Sequence, residues 1–163
     1  MGLFHTQGDL LALAEAGKFD IIVHGCNCQN TMGSGIAKQI KDKYPDAFQA
    51  DYRYDLELGN RYRYCKLGNY TIANIYSKCN FKIVNAYTQF HYLPRGIDHF
   101  DYASFAVILE KLEHFYGNYD FGFPYIGMGL AGGDSDRIFD MLEEFASLVE
   151  KKGGTATVVE YKA

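Results

Sequence analysis

Residues 21–37, IIVHGCNCQNTMGSGIA, concentrate chemically capable side chains in one short stretch. A histidine, two cysteines and two asparagines lie between an apolar run and a helical pattern. Such a set could bind a metal ion, supply a thiol nucleophile, or surround a turn whose backbone amides bind phosphate. Only one residue separates Cys26 from Cys28, and Cys65 and Cys79 do not form a second pair with zinc-ligand spacing. The spacing therefore favours small packing groups over metal ligands, and we expect neither a metal nor another cofactor.

Twice the chain passes from an apolar strand pattern through glycines into a helical pattern. The first turn contains Gly33 and Gly35, and the second, at residues 127–133, contains four glycines. Glycine lets a ligand approach the backbone, and free N–H groups ahead of a helix bind phosphate oxygens. One such turn is a weak signal, but two could hold a pyrophosphate between them. Neither turn matches a P-loop or a Rossmann fingerprint, so a simple ATPase or dehydrogenase is not favoured.

Alternating strand and helix patterns predict the frame that positions these turns. Apolar, β-branched runs predict strands at residues 19–26, 81–88, 121–126 and 155–161. Helical spacing of apolar residues predicts helices at residues 36–44, 46–57, 102–115 and 135–151. Residues 62–66 and 70–76 flank a glycine-containing turn and predict an antiparallel hairpin. We therefore predict one domain over residues 1–163, an α/β fold with three α/β/α layers around a mixed central sheet.

Composition limits the function classes further. The chain is 48% hydrophobic and 22% charged, as globular domains are, so disorder is not expected. A net charge of -4 argues against a protein that binds nucleic acid through a basic face, but it leaves a small anionic ligand open. No apolar run approaches the roughly 18 residues of a membrane span, and the N-terminus lacks a signal-sequence pattern. We expect a cytoplasmic monomer with reduced cysteines and no membrane association.

Several motifs in order along the chain resemble those of one family. Gly8-Asp9-Leu10 looks like the Gly-Asp-Ile/Leu signature of macro domains, and His24-Gly25-Cys26-Asn27 resembles the end of their central strand. The Gly-Ser-Gly-Ile-Ala stretch at residues 33–37 is similar to the segment that opens their first phosphate-side helix, and residues 126–134 resemble their second phosphate loop. The resemblance covers nearly the whole chain. It is closest to the ADP-ribose 1″-phosphate phosphatase branch and the terminal ADP-ribose protein glycohydrolase branch.

The resemblance implies a binding site for ADP-ribose. Asp9, with Leu10 beside it, would bind the adenine end, and Asn27 would bind the distal ribose. The two glycine turns would supply amides to the phosphates through Gly33, Ser34, Gly35, Ile36, Gly127, Met128, Gly129 and Leu130. Each motif also has a purely structural interpretation, because Asp9 could simply cap a helix and Asn27 could simply hold a turn.

Two further side chains are candidates for catalysis by the same resemblance. His24 could orient water or donate a proton to the leaving oxygen, and Asp134 could act beside it. The alternatives are a histidine hydrogen-bonded within the core and an aspartate that caps the last helix. The glycohydrolase branch that forms a covalent lysyl adduct has a lysine at the end of its central strand. The matching residues here, 83–88, contain no lysine, which puts a covalent lysine mechanism in doubt.

We therefore predict a hydrolase acting on ADP-ribose derivatives, most simply on ADP-ribose 1″-phosphate. Removal of ADP-ribose from modified protein or nucleic acid is a second activity that the same pocket would suit. The alternative class is a reader module that binds ADP-ribose without chemistry.

Overall fold

Strands and helices alternate along the chain, as the sequence patterns predicted. A computed structural model describes residues 2–94, 97–129 and 131–162. The elements in chain order are β1 (Phe4–Gly8), α1 (Leu10–Glu15), β2 (Ile21–Asn27), α2 (Gly35–Lys43), α3 (Pro45–Leu58), a 3₁₀ segment (Asn60–Lys66), β3 (Tyr70–Ile75), β4 (Phe81–Gln89), α4 (Tyr102–Tyr116), β5 (Asp120–Phe123), α5 (Ser135–Glu150) and β6 (Thr155–Tyr161).

One mixed sheet of six strands, in the order β1-β6-β5-β2-β4-β3, forms the middle layer. The pairs β1–β6, β6–β5, β5–β2 and β2–β4 are parallel, and β3 runs antiparallel to β4. Because five strands share one direction, their carboxyl ends meet at the same edge of the sheet. The chain leaves β2 and β5 at that edge and enters the two glycine turns.

Helices cover both faces of the sheet and give each face its own core. On one face α1, α2 and α3 pack with Ile22, Ile83 and Tyr87. On the other face α4 and α5 pack with Val23 and Val84. Successive residues of a strand point to opposite faces, so β2 and β4 contribute to both cores. The three-layer α/β/α sandwich with a mixed sheet is confirmed. No helix in the described part of the chain is long and apolar enough to cross a membrane.

The predicted hairpin between residues 62–66 and 70–76 is wrong. Residues 60–66 form two short 3₁₀ turns joined at Tyr62, and the antiparallel partner of β3 is β4, with Ile72 opposite Val84. Side chains of the 3₁₀ segment turn back onto α3 instead of pairing as a strand. Arg63 Nε and Nη2 donate to the two carboxylate oxygens of Asp55, each at 2.8 Å. These ion pairs outweigh the β propensity of the local tyrosines.

Candidate functional site: a cleft between the two glycine turns

A cleft of about 450 Å³ lies where the two glycine turns meet above the carboxyl edge of the sheet. Its floor is formed by Gly25 and Cys26 at the end of β2 and by Thr88 and Gln89 at the end of β4. One wall is the turn before α2, and the other is the turn after β5. Tyr92 and Tyr125 stand at the rim and are about two-fifths exposed (both 42%). An elongated ligand with charged groups at its centre would fit between the two turns.

The first wall presents backbone N–H groups with no partner in the described protein. The amides of residues 33–37 donate to no protein acceptor within residues 2–94, 97–129 and 131–162. Ser34 is the N-cap of α2, and its side chain makes no capping hydrogen bond. By contrast, Asp9, Asp101 and Asp134 cap α1, α4 and α5 with their carboxylates. Because the N-terminus of a helix carries partial positive charge, the start of α2 is suited to binding an anion.

The second wall is a turn that depends on glycine. Gly127 has a φ of 75°, which favours glycine, and a Cβ there would collide with the ring of Phe100. Gly133 N–H donates to the Gly127 carbonyl at 2.7 Å, which closes the turn. The N–H groups of Gly127 and Gly129 have no acceptor among the described residues, so they can point at a ligand. Met128 N–H is bound to the Tyr125 carbonyl at 3.2 Å, and Met128 does not line the cleft.

Comparison with known proteins identifies the family. The model of the family described as "Macro domain" matches residues 23–142. The chain belongs to the macro domain family.

Several known proteins align with almost the whole of this chain. A phage T4 protein, the "Uncharacterized 17.5 kDa protein in tk-vs intergenic region", is 33% identical over 151 residues, covering 90% of this chain and 91% of that protein. A Candida albicans protein named ADP-ribose 1″-phosphate phosphatase is 26% identical over 151 residues, covering 88% of this chain and 94% of its own. The solved macrodomain of Mycobacterium tuberculosis DarG superposes with a TM-score of 0.71 at 22% identity, covering 99% of this chain and 100% of that one. At 22% identity, the similarity to this solved structure is evidence for the fold alone.

The structure brings together many of the residues that the sequence predicted as ligand-binding. Asn27, Gly33, Ser34, Gly35, Ile36, Gly127 and Gly129 all line the cleft. Leu130 lies outside the described residues. Asp9 and Leu10 follow β1 at the same edge of the sheet but do not line the cleft. The Asp9 carboxylate accepts from the N–H groups of Leu11 and Ala12, at 3.0 and 3.3 Å, and the Leu10 side chain is buried in the core.

His24 does not line the cleft. Its side chain is buried between the sheet and α3, with its Nε2 2.6 Å from Asn85 Oδ1. The Asn85 amide nitrogen donates to the Ala47 carbonyl and to Thr71 Oγ1, so Asn85 Oδ1 is the acceptor and His24 Nε2 carries the proton. Burial lowers the pKa of His24 to about 4, against the hydrogen bond to Asn85, which raises it. At neutral pH the imidazole is therefore uncharged and already engaged.

Asp134 is likewise outside the cleft lining. One of its carboxylate oxygens accepts from the N–H groups of Asp136 and Arg137, at 3.0 and 3.4 Å, as the N-cap of α5. Its own N–H donates to the Tyr102 hydroxyl at 2.8 Å. The structure thus places Asp134 at the start of the helix that follows the second turn, and its carboxylate contacts are those of a capping residue.

The floor of the cleft contains the Cys26 thiol, which the sequence predicted to be a packing group, and two hydroxyls that the sequence did not single out. Burial raises the pKa of the Cys26 thiol well above its ordinary value, so it is protonated at neutral pH and a poor nucleophile. Thr31 and Thr88 also line the cleft. A threonine in a β-branched strand pattern carries no signal that separates a ligand contact from a core residue. No group of three or more His, Cys, Asp or Glu within the described chain could hold a metal ion.

Proposed function

We propose that this macro domain binds ADP-ribose derivatives in the cleft and hydrolyses ADP-ribose 1″-phosphate to ADP-ribose and inorganic phosphate. The observation that supports binding most directly is the set of unbonded amides at residues 33–37, at the open start of α2. Gly127 and Gly129, whose N–H groups have no acceptor among the described residues, line the other wall of the cleft. Two facing sets of donors suit a pyrophosphate better than a single anion. The name of the Candida albicans relative supports the choice of substrate.

Catalysis in this proposal comes chiefly from the backbone. Phosphoryl transfer spreads charge over the phosphate oxygens in its transition state, and fixed N–H donors stabilise that charge. Water attacks the phosphorus of the 1″-phosphate, and the bond between that phosphorus and the ribose 1″-oxygen breaks. The proton that the water loses goes to solvent, the departing ribose oxygen takes up a proton from solvent, and no covalent intermediate with the protein is needed. We assign His24 and Asp134 structural roles that hold the walls and floor of the cleft in place. His24 is hydrogen-bonded to Asn85 in the core between the sheet and α3, and Asp134 caps α5. Their predicted catalytic roles are tested below by substitution.

A reader that binds without turnover is the second candidate, and the lining of the cleft favours it. None of the described lining residues is Asp, Glu, His, Lys or Arg, so no strongly acidic or basic side chain stands beside the ligand. General acid–base catalysis by a side chain typically contributes 10²–10⁴-fold. A site without such a group could still be an adequate binding site for ADP-ribose.

Phosphorus NMR of ADP-ribose 1″-phosphate with the purified chain and excess chelator separates these candidates. Release of inorganic phosphate with intact ADP-ribose supports the phosphatase. Shifted or broadened pyrophosphate resonances without release support the reader, and an unchanged spectrum refutes both. The matched variants are Asp134→Asn, which retains a capping side chain, and Asp134→Ala, which does not. Turnover of both at the wild-type rate fits a capping role, and a loss above tenfold in both would restore Asp134 to catalysis.

The same pocket would accept an ADP-ribose group attached to protein or nucleic acid, which is the next substrate to test. We also propose that the chain acts in the cytoplasm as a monomeric single domain. Size-exclusion chromatography with light scattering tests the monomer directly, since a dimer would double the mass of 18.5 kDa.

A further inference from the structure

Two tyrosines at the mouth of the cleft are held in different ways. Tyr125 packs edge-on against Phe139 of α5, with 5.5 Å between the ring centroids. Tyr92 belongs to the loop that follows β4, and its ring lies against the ring of its neighbour His91, with 4.6 Å between the centroids and 30° between the planes. A side chain on a loop samples several rotamers unless its neighbours restrict it. The position of Tyr92 therefore depends on His91.

His91 also bonds the backbone of the two residues that follow it. Its Nδ1 accepts from the N–H of Tyr92 at 2.9 Å and from the N–H of Leu93 at 3.0 Å. Because Nδ1 is the acceptor in both bonds, Nε2 carries the ring proton. A side-chain acceptor that bonds N–H groups just ahead of it folds the chain into a tight turn, as asparagine does in an Asx turn. His91 thus acts on the backbone and on the ring of Tyr92 together.

The residues that carry this turn are anchored to the cleft. The carbonyl of Phe90 accepts from Cys28 N–H at 3.0 Å and from Gln29 Nε2 at 2.9 Å, which ties the loop to the segment between β2 and α2. Gln89, a residue of the floor, donates through its Nε2 to the His91 carbonyl at 3.0 Å. The backbone of His91 is therefore fixed relative to the floor and the first wall.

We propose that His91 is a positioning residue that holds Tyr92 at the mouth of the cleft, where Tyr92 covers a bound ligand. The inference rests on the proposed function, in which that ligand is an ADP-ribose derivative. An aromatic side chain that is fixed before binding loses little rotamer freedom on binding, and its ring removes part of the ligand from water. His91 does not itself line the cleft, so it acts on the ligand through Tyr92.

Amide exchange in the unliganded protein, followed by NMR, measures the hold of His91 on the loop. His91→Phe keeps a ring beside Tyr92 but removes the acceptor, so the amides of Tyr92 and Leu93 should exchange at least about tenfold faster than in wild type. His91→Asn is the matched control, because its side-chain oxygen can accept from the N–H two residues ahead. In His91→Asn the Leu93 amide should exchange within about threefold of the wild-type rate.

Titration calorimetry with ADP-ribose then tests whether His91 acts through Tyr92. We expect Tyr92→Ala to weaken binding about tenfold and His91→Phe at least about threefold, whereas His91→Asn should stay within about twofold of wild type. Adding His91→Phe to Tyr92→Ala should weaken binding by less than about 1.5-fold, because the ring that His91 holds is already gone. Tyr76→Ala removes an exposed tyrosine that follows β3, at the opposite edge of the sheet, and should bind as wild type does.

Each other outcome overturns the assignment. Additive losses in the double variant would mean that His91 affects the ligand by a route other than Tyr92. Wild-type amide exchange in His91→Phe would mean that its nitrogen does not hold the loop, and wild-type affinity of Tyr92→Ala would mean that Tyr92 covers nothing. His91→Leu provides the same comparison should His91→Phe not fold. If wild type binds no ADP-ribose, the proposed function fails, whereas wild-type binding with an insensitive Tyr92→Ala overturns this assignment alone.

Discussion

His24 shows how a residue that looks catalytic in sequence becomes a structural residue in three dimensions. Its neutral imidazole donates to Asn85 in the core, and burial holds the pKa at about 4, below the ordinary value of 6.5. The unfolded chain therefore binds a proton near pH 6.5 that the folded chain binds only near pH 4. Stability is fully present above pH 6.5 and falls as the pH drops from 6.5 towards 4, by about 2 kcal/mol at pH 4.5.

Urea unfolding at pH 7.0 and pH 4.5 measures this contribution. We expect His24→Gln, which keeps an N–H donor without a titrating group, to lose about 2 kcal/mol less than wild type between the two pH values. His24→Gln that remains folded should also bind ADP-ribose at pH 7 with wild-type affinity. An equal pH dependence in both proteins would mean that His24 is not held neutral, and lost binding would bring His24 back to the site.

At the scale of elements, the N-terminus of α2 differs from those of α1, α4 and α5 because its N-cap side chain leaves the first turn unbonded. Ser34 makes no side-chain capping bond, whereas Asp9 and Asp134 satisfy the first turns of α1 and α5. We expect Ser34→Asp to cap α2 and raise the free energy of unfolding by about 0.5–1 kcal/mol. The same carboxylate would repel phosphate, so ADP-ribose binding should weaken at least tenfold in calorimetry. Ser34→Asn separates the effects, because it caps without charge. Tight binding by Ser34→Asp would place the phosphates elsewhere.

The sequence predicted the type of an element, helix or strand, wherever its buried side chains recur with the period of that element. The stripe of Ile138, Leu142 and Phe145 predicted α5, and the apolar run at residues 19–26 predicted a strand covered on both sides, which the structure has at Ile21–Asn27. The 3₁₀ segment was missed because its shape depends on ion pairs to α3, which no local pattern reveals. In the cleft, the two glycine turns could be predicted because glycines are concentrated between a strand pattern and a helix pattern. The position of His24 could not be predicted in this way, because it depends on the register between β2 and β4. That register places His24 opposite Asn85 in the core.

At the scale of the whole molecule, one of the two cores contains a buried charge network that ties the 3₁₀ segment to the sheet. Lys66 is fully buried, with its Nζ 2.7 Å from Asp51 Oδ1 and 3.5 Å from Asp55 Oδ1. The same Asp51 oxygen accepts from the Tyr87 hydroxyl at 2.7 Å, and the Lys66 ammonium lies 4.6 Å from the centre of the Tyr87 ring. Tyr87 precedes Thr88 in β4, so the network supports the strand that forms the floor of the cleft.

Removing one charge of this network should lower the free energy of unfolding much more than removing both charges of the Lys66–Asp51 pair. Lys66→Met leaves Asp51 buried without its cation, and we expect a loss of about 3–5 kcal/mol in urea unfolding at pH 7. The double variant Lys66→Met with Asp51→Asn keeps an acceptor for Tyr87 without a charge, and it should recover most of that loss. An exposed pair would contribute at most about 1 kcal/mol. Lys66→Met with wild-type stability would therefore mean that water reaches Asp51, and additive losses in the double variant would mean that packing, not charge, dominates there.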